Sequence, residues 1–202
     1  ATAYTIFASQ GKLQSPRLIN AVVSGQNQVL WRDPTYSRRV ASLRSATMAH
    51  SVLEGVLRQG TGRSSSNYGI VANVGGKTGT TDKFRDAWFS GYSPLFSTTV
   101  WVGKDRGGGI GLSGARAALP IWSKFMVNSA AQRQSFSLPP EAIHHTLCTE
   151  SGELASAKCP RIYDEIFWSD HSLPETCQSH GAPKWSIGKL FQGFFPNRKS
   201  EA

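Results

Sequence analysis

The chain lacks the features that would place it in a membrane. Its 202 residues contain no apolar run of about 18 residues, the length that a membrane-spanning helix requires. No signal peptide is recognisable, and the first residue is Ala1 rather than methionine. We interpret the sequence as a fragment or processed piece, so these absences exclude a membrane span within it but say little about location. Its length fits one domain, or one domain with a tail.

Acidic residues are scarce. The 13 aspartates and glutamates are outnumbered by 22 lysines and arginines, which gives a net charge of +9 at pH 7. The basic residues are scattered and do not form the patch, stripe or motif typical of nucleic-acid binding. We therefore expect a solvated basic surface that meets anionic components of the cell, and no nucleic-acid partner.

Cysteine is also rare and is confined to the last third of the chain, at Cys148, Cys159 and Cys177. Three cysteines allow one disulfide and one free thiol, in three alternative pairings. Because the segment around them is rich in proline and weakly periodic, we expect a disulfide staple and an oxidising compartment. A metal alternative would combine the three with His180, but ten residues separate the first two cysteines, whereas structural zinc ligands usually come in close pairs. We expect neither a metal site nor a cofactor.

The hydrophobic pattern predicts an α+β fold in which an antiparallel β-sheet is flanked by helices. Strands are expected at 70–81, 86–92 and 97–104, and their short connections indicate a meander. Nearer the N-terminus, we expect a helix end at 3–10, stopped by Gly11, and a hairpin of 17–24 and 28–31.

Two longer helices are expected beside the sheet. The first spans 43–59 with Ser42 as its N-cap, and the second spans 116–131 with Pro120 in its first turn. Apolar residues at helical spacing predict their buried faces: Met48, Val52, Leu53, Val56 and Leu57 in the first helix, and Leu119, Trp122, Phe125 and Met126 in the second. The five histidines are expected at the surface or in the tail, without a catalytic role: His50, His144, His145, His171 and His180.

A linker is predicted at Pro139-Pro140. We assign residues 1–138 to the main domain. Residues 139–202 are assigned to a small, loop-rich C-terminal extension, which a disulfide would staple.

The most informative motif is Gly-Gly-Lys-Thr-Gly-Thr-Thr at residues 75–81, which leads into an alternating, aromatic-rich segment. A lysine ammonium and a threonine hydroxyl can hold a carboxylate by charge-assisted hydrogen bonds. A glycine in a strand lets a ligand approach the backbone closely, and the amides that follow can point at a reacting carbonyl. The motif therefore predicts a substrate-binding edge strand.

Five motifs in a fixed order carry a family resemblance: Gly-Thr-Gly at 60–62, Gly-Lys-Thr-Gly-Thr-Thr at 76–81, Arg-Asp-Ala-Trp-Phe-Ser-Gly-Tyr at 85–92, Val-Trp-Val-Gly-Lys-Asp at 100–105 and Ala-Ala-Leu-Pro-Ile-Trp at 117–122. Together they resemble the C-terminal half of the transpeptidase domain of a class A (bifunctional) penicillin-binding protein. Residues 4–11 and the tail from 151 to Cys177 are also similar to that family, so the resemblance covers nearly the whole chain.

The resemblance implies the fold shared by penicillin-binding transpeptidases and β-lactamases. It also implies part of a D,D-transpeptidase that cross-links peptidoglycan stem peptides and is acylated by β-lactams. In that family, Lys77 would support the electrostatics and proton traffic of the site, and the hydroxyls of Thr78 and Thr80 would lie near the substrate or drug carboxylate. The backbone N–H of Thr80 would be an oxyanion-hole donor. Gly79 and Thr81 complete the implied substrate-binding set.

The resemblance further implies a periplasmic location, at the extracytoplasmic face of the bacterial inner membrane. A membrane anchor and a glycosyltransferase domain would precede this piece, and other cell-wall synthesis proteins would be partners. The upstream part of the same enzyme would be the most direct partner.

The family's nucleophile, the serine of Ser-x-x-Lys at the start of a helix, and its later Ser-x-Asn motif are both expected before residue 1. Two formal matches within the chain are interpreted as accidental. Ser9 and Lys12 fit the first pattern, but Gly11 weakens the helical turn that should join them. Residues 65–67 fit the second, but lie in a polar loop ten residues before Lys77. Because acyl transfer needs an activated nucleophile, we expect this chain to be inactive alone and to complete a site whose serine is on another piece.

Other readings fit the sequence less well. A phosphate-binding P-loop that ended at Thr78 would require glycine where Val71 stands. Residues 109–114 match Gly-x-Gly-x-x-Gly, but no acidic residue follows at the distance that a dinucleotide site requires. The remaining alternative is a non-catalytic cell-wall-binding or interaction module that retains the transpeptidase sheet.

Overall fold

The protein is described by a computed structural model that covers residues 1–71, 73–129 and 134–180. The chain divides into two compact units, Ala1–Pro139 and Pro140–Ala202. The predicted end of the second long helix at 130–131, and residues 181–202 of the predicted extension, lie outside the described residues.

A three-stranded antiparallel sheet forms the centre of the first unit. It contains β5 (Gly75–Thr80), β6 (Asp86–Tyr92) and β7 (Ser97–Gly103), in that order across the sheet. The predicted meander is confirmed. Strands β6 and β7 are rich in aromatic and β-branched residues, which favour the pleated conformation. Between them, the Ser93 hydroxyl accepts hydrogen bonds from the backbone N–H groups of Leu95 and Phe96 and closes the turn.

Helices α2 (Leu43–Arg58) and α3 (Gly114–Asn128) pack against this sheet. Ser42 caps α2 as predicted, since its hydroxyl accepts a 3.0 Å hydrogen bond from the N–H of Ser45. The core forms where α3 meets β6, and the rings of Trp122 and Phe89, both fully buried, have centroids 4.7 Å apart.

Helix α3 begins earlier than the sequence predicts. It starts at Gly114 rather than at 116, so Pro120 lies inside the helix and not in its first turn. The reason is tertiary: the backbone N–H of Gly114 donates a hydrogen bond to the Thr80 hydroxyl, which fixes the first helical residue against β5. Phe125, expected in the core, is 43% exposed and packs edge-on against Phe96.

The buried face of α2 also differs from the prediction. Of the predicted face, Leu57 is buried and Leu53 and Val56 are partly buried, but Met48 and Val52 are exposed. The other buried positions are held by small and polar residues: Ala46, Thr47, His50 and Ser51. Helix α2 therefore faces the sheet through polar contacts such as that of His50 with Tyr92, as well as through Leu57 in the core.

The N-terminal part of the first unit is built from short elements. A 3₁₀ turn (Thr2–Tyr4) leads into α1 (Thr5–Ala8). Soon after the helix comes Gly11, whose φ of +96° is the left-handed conformation that glycine favours. Strand β1 (Lys12–Gln14) pairs with β4 (Ser37–Arg39). The predicted hairpin is present as β2 (Ala21–Val23) and β3 (Val29–Arg32).

The second unit contains more regular secondary structure than the loop-rich extension that the sequence predicts. Strands β8 (Ala142–Cys148) and β9 (Ile162–Trp168) form an antiparallel pair over their full length. This pair was not predicted from the sequence, because 13 residues separate the two strands and no short turn marks them as a hairpin. All three cysteines are free thiols, so the expected disulfide staple is not formed.

Candidate active site

Strand β5 presents the Lys-Thr-Gly motif at an edge of the sheet. In the described part of the chain, β5 pairs only with β6. Thr78 lies opposite Phe89 and Thr80 opposite Ala87, so both threonines share the face of the sheet on which those two residues are buried. Alternation places Lys77 on the other face. Its ammonium nonetheless reaches the strand, since Nζ donates to the Thr78 carbonyl at 3.0 Å and lies 3.4 Å from the Thr78 hydroxyl.

A cleft of about 800 Å³ opens beside this strand. Of the five predicted substrate-binding residues, Thr78 and Thr80 line it. The other polar side chains of its wall do not belong to the predicted site: Thr61, Arg63, Ser64, Tyr68, Ser113 and Arg116. The Gly-Thr-Gly motif at 60–62 was a usable signal for Thr61, whose hydroxyl lies 2.9 Å from that of Thr78.

The N-terminus of α3 closes one side of the cleft. The N–H of Gly114 donates to the Thr80 hydroxyl at 3.0 Å. A Cβ atom at position 114 would overlap the carbonyl oxygens of Trp88 and Gly79, so the helix approaches the strands more closely than a side chain would allow. This contact holds the Thr80 hydroxyl in place, and it directs the partial positive charge of the helix N-terminus towards the end of β5.

Gly79 and Thr81 are placed differently from the two threonines of the cleft. Thr81 donates a 3.1 Å hydrogen bond from its hydroxyl to the Asp86 carboxylate and accepts one of 2.8 Å from the Asp86 N–H. The other carboxylate oxygen of Asp86 accepts from the Trp101 indole. Thr81 is thus engaged in the turn between β5 and β6. Gly79 lies opposite Trp88, whose Cβ would be 3.1 Å from an added Cβ.

The charge of the cleft is positive. Arg63 and Arg116 line it and are exposed, and among the described residues of its wall none is acidic. With the Lys77 ammonium beside Thr78, three cationic side chains lie on or near β5. Such a surface favours an anionic ligand such as a carboxylate.

The formal matches to the family's Ser-x-x-Lys and Ser-x-Asn motifs do not have the local structure of an active site. Ser9 is the C-cap of α1, and Lys12 lies in β1, so the prediction that Ser9 stands where a helix ends is confirmed. Residues 65–67 belong to the 3₁₀ helix Arg63–Tyr68, in which Ser65 is buried and the Ser66 hydroxyl donates to the Arg63 carbonyl. No residue of either motif lines the cleft. The 3₁₀ helix does contribute three other residues to its wall: Arg63, Ser64 and Tyr68.

The structure corrects the expectation for one histidine. His50 is buried, with 7% of its surface exposed, and its Nδ1 atom lies 3.0 Å from the Tyr92 hydroxyl. The ring of Phe136 lies beside it, tilted by 48°, at a centroid distance of 4.1 Å. Burial lowers the pKa of His50 below its usual value of 6.5. The same burial raises the pKa of Tyr92. Because it lies among aromatic rings away from the cleft wall, His50 is a core residue.

Neither nucleotide-binding alternative has the structural context that it needs. Residues 75–80 form a strand of an antiparallel sheet, and no α-helix follows Thr78 as it would in a P-loop. Strand β7, which precedes residues 109–114, is also antiparallel to its neighbour, so no βαβ unit surrounds the glycine motif.

A Lys-Thr-Gly edge strand packed beside a helix N-terminus and a cationic cleft is the arrangement expected of a penicillin-binding transpeptidase fold. A family model described as the penicillin binding protein transpeptidase domain matches residues 1–105 of the 202. The chain therefore belongs to the penicillin-binding protein transpeptidase family.

Curated relatives extend the similarity beyond the matched domain. Penicillin-binding protein 1A of Aquifex aeolicus is 37% identical over 164 residues, which is 79% of this chain and 22% of that protein. Penicillin-binding protein 1A of Clostridium tetani is 30% identical over 192 residues, 89% of this chain and 24% of that protein. The chain thus spans less than a quarter of the length of these relatives.

Solved structures show the same fold. Penicillin-binding protein 1A of Haemophilus influenzae superposes with a TM-score of 0.72 at 24% identity, over 87% of this chain and 32% of that one. A ceftriaxone acyl-enzyme complex of penicillin-binding protein A from M. tuberculosis gives a TM-score of 0.51 at 21% identity, over 64% of this chain and 31% of that one. The predicted α+β fold is confirmed. Among the described residues, no helix has both the length and the apolar character that crossing a membrane requires.

Proposed function

We propose that this chain supplies the Lys-Thr-Gly wall of a serine-type D,D-transpeptidase that cross-links peptidoglycan stem peptides and is acylated by β-lactams. The observation that carries the proposal is the placement of Thr78 and Thr80. Both line an open cleft from an edge strand, next to two exposed arginines and a helix N-terminus. The peptidoglycan substrate and the drug both carry a carboxylate, which such hydroxyls and cations would hold.

In this mechanism an extended peptide binds by backbone pairing to the edge of β5 that no described strand occupies, as in other cases of strand addition. The hydroxyls of Thr78 and Thr80 bind the carboxylate, and the N–H of Thr80 donates to the oxyanion that forms on acylation. The Lys77 ammonium, in contact with Thr78, stabilises negative charge and assists proton transfer. Gly79 leaves the strand edge open to the ligand.

The nucleophile and its base would come from the upstream part of the same enzyme. Ser9, the serine of the formal Ser-x-x-Lys match, follows the end of α1 and so lacks the helix-opening position that an activated nucleophile needs. The chain alone would therefore be inactive. Such an enzyme acts at the extracytoplasmic face of the bacterial inner membrane, where its substrate is found and where other cell-wall synthesis proteins would contact it.

The test is labelling with a fluorescent penicillin. The chain would be prepared alone, mixed with the segment that precedes it in the same enzyme, and joined to that segment. We expect covalent labelling when the upstream segment is present, none of the chain alone, and none at the band of this chain in the mixture. Labelling of the isolated chain at Ser9 would contradict the proposed division of the site. If the joined protein folds but stays unlabelled, the non-catalytic cell-wall-binding alternative is favoured.

A further inference from the structure

The second unit brings four metal-ligating side chains together. The sulfur atoms of Cys148, Cys159 and Cys177 and a ring nitrogen of His180 all lie within 4.8 Å of one another. Cys148 and Cys177 are buried, and the other two are partly buried. We propose that these four residues bind one Zn²⁺ ion through three thiolates and one imidazole, as a closed structural site. The proposal is independent of the chemistry of the cleft.

Two distances from His180 to the sulfurs are close to those that a tetrahedral ion imposes. The Nδ1 atom of His180 lies 3.5 Å from the sulfur of Cys148 and 3.3 Å from that of Cys177. With Zn–S and Zn–N bonds of about 2.3 and 2.1 Å, tetrahedral angles separate a sulfur from a nitrogen by about 3.6 Å and two sulfurs by about 3.8 Å. The other separations do not exceed 4.8 Å, so shifts of about 1 Å would bring all four ligand atoms onto one ion.

A carboxylate holds the imidazole in the orientation that a ligand needs. The Nε2 atom of His180 lies 2.8 Å from Glu150, and Arg161 pairs with the other oxygen of that carboxylate at 3.3 Å. When Nε2–H donates to Glu150, the Nδ1 atom that faces the sulfurs carries the free lone pair. A carboxylate behind a metal-bound histidine is the usual partner in protein zinc sites.

The sulfurs also receive hydrogen bonds of the kind that stabilise thiolates. The Ser151 hydroxyl donates to the sulfur of Cys177 at 3.3 Å, and the backbone N–H of Ser156 donates to that of Cys159 at the same distance. Outer contacts of this kind orient metal ligands and tune their affinity.

Strand pairing removes the objection raised by the spacing of the cysteines. Cys148 ends β8 directly opposite Ile162 at the start of β9, so Cys159 returns to it despite the intervening residues. Leu154 then bridges to Leu147 on one side and to Thr176 on the other, which places Cys177 beside Cys148. Tertiary structure thus supplies the proximity that the sequence did not show. A disulfide would use two of the cysteines and would leave the third cysteine and His180 without a shared ion to bind.

The experiment is a measurement of metal content in the protein that carries this chain, purified without chelators or a histidine tag. We expect one zinc ion per chain by mass spectrometry of the metals. After exchange with Co²⁺, we expect the intense visible bands of tetrahedral cobalt and a thiolate charge-transfer band. Cys148→Ser and His180→Gln should lose the metal, whereas His144→Gln, which replaces an exposed histidine on β8, should keep it.

Two further variants keep the test decisive if a ligand variant fails to fold. Glu150→Gln should retain the ion but weaken its affinity about 10–100-fold in competition with a coloured chelator. His180→Cys should also bind the ion, with a cobalt spectrum typical of four sulfur ligands. The proposal is overturned if the unaltered protein takes up neither Zn²⁺ nor Co²⁺ at this cluster, or if peptide mapping without reductant finds any two of the three cysteines joined as a disulfide.

Discussion

Gly76 occupies a position on β5 where no side chain fits. A Cβ there would lie 2.7 Å from the ring of Phe89 and 2.9 Å from the Ser90 carbonyl oxygen. Since Phe89 is fully buried against Trp122, its ring cannot move away from an added Cβ without a cost in packing energy. The glycine next to the Lys-Thr-Gly motif is therefore a packing requirement of the sheet, whatever its role towards a ligand.

We predict that Gly76→Ala lowers the free energy of unfolding by about 1–3 kcal/mol, the usual cost of overpacking a core. Urea unfolding followed by circular dichroism would measure it. Gly108→Ala is the matched control, because a Cβ at that glycine meets nothing within 4 Å. An equal effect of the two substitutions would show that loss of glycine flexibility, and not the contact with Phe89, causes the change.

His50 makes the stability of the first unit depend on pH. Burial lowers its pKa below 6.5, so between these two values the unfolded chain binds a proton that the folded chain does not. The stabilising effect of the neutral ring is complete above pH 6.5 and is lost progressively as the pH falls below it. We predict a free energy of unfolding that decreases below this pH, and a weaker decrease in His50→Gln. Urea midpoints at several pH values would test this, and an unchanged slope in the variant would contradict it.

At the scale of elements, the contact between α3 and β5 positions two sides of the cleft wall relative to each other. The Thr80 hydroxyl accepts from Gly114 and faces the cleft, so Thr80→Val would remove both an anchor of the helix and a polar group of the wall. In the protein joined to its upstream segment, we predict that Thr80→Val slows penicillin acylation about 10–100-fold. A loss of this size is expected when a hydrogen bond to a charged group is removed.

Thr99→Val serves as the control for that substitution. It removes a hydroxyl of the same sheet, which lies 2.8 Å from the Ser90 hydroxyl and does not line the cleft. Its acylation rate should remain close to that of the unaltered protein. If both variants slow acylation equally, the sheet as a whole, and not the Thr80 hydroxyl, would account for the effect.

The sequence predicts elements well where pattern and packing agree. Strands β6 and β7 follow from aromatic and β-branched residues, and the start of α2 follows from Ser42, because these signals are local. The start of α3 and the buried face of α2 depend on Thr80 and Tyr92, which are distant in sequence, so local rules misplace them. For the site, the motif identified Thr78 and Thr80, while the positions of Arg63 and Arg116 required the fold.

At the scale of the whole molecule, the first unit leaves apolar surface uncovered. In the hairpin β2–β3, the side chains of Val22, Val23, Leu30 and Trp31 are all between 44% and 63% exposed. A two-stranded hairpin exposed on both faces is marginal by itself. This agrees with the proposal that the chain works together with an upstream segment of the same enzyme.

We predict that the amides of β2 and β3 exchange with solvent quickly in the isolated chain and at least about tenfold more slowly when the upstream segment is joined, because a covered hairpin opens less often. Hydrogen exchange followed by mass spectrometry would measure this, with β6 as an internal reference. Equal exchange in both forms would mean that the upstream segment does not cover this hairpin.

The contact of Gly114 with Thr80 has a consequence for ionic strength. The positive end of α3 is delivered to β5 by backbone groups packed against the strands, whereas Arg63 and Arg116 project from exposed positions. Mobile ions screen exposed charges much more strongly than groups held within the fold. The cleft would therefore retain part of its attraction for anions in concentrated salt, where the arginines alone would lose most of theirs.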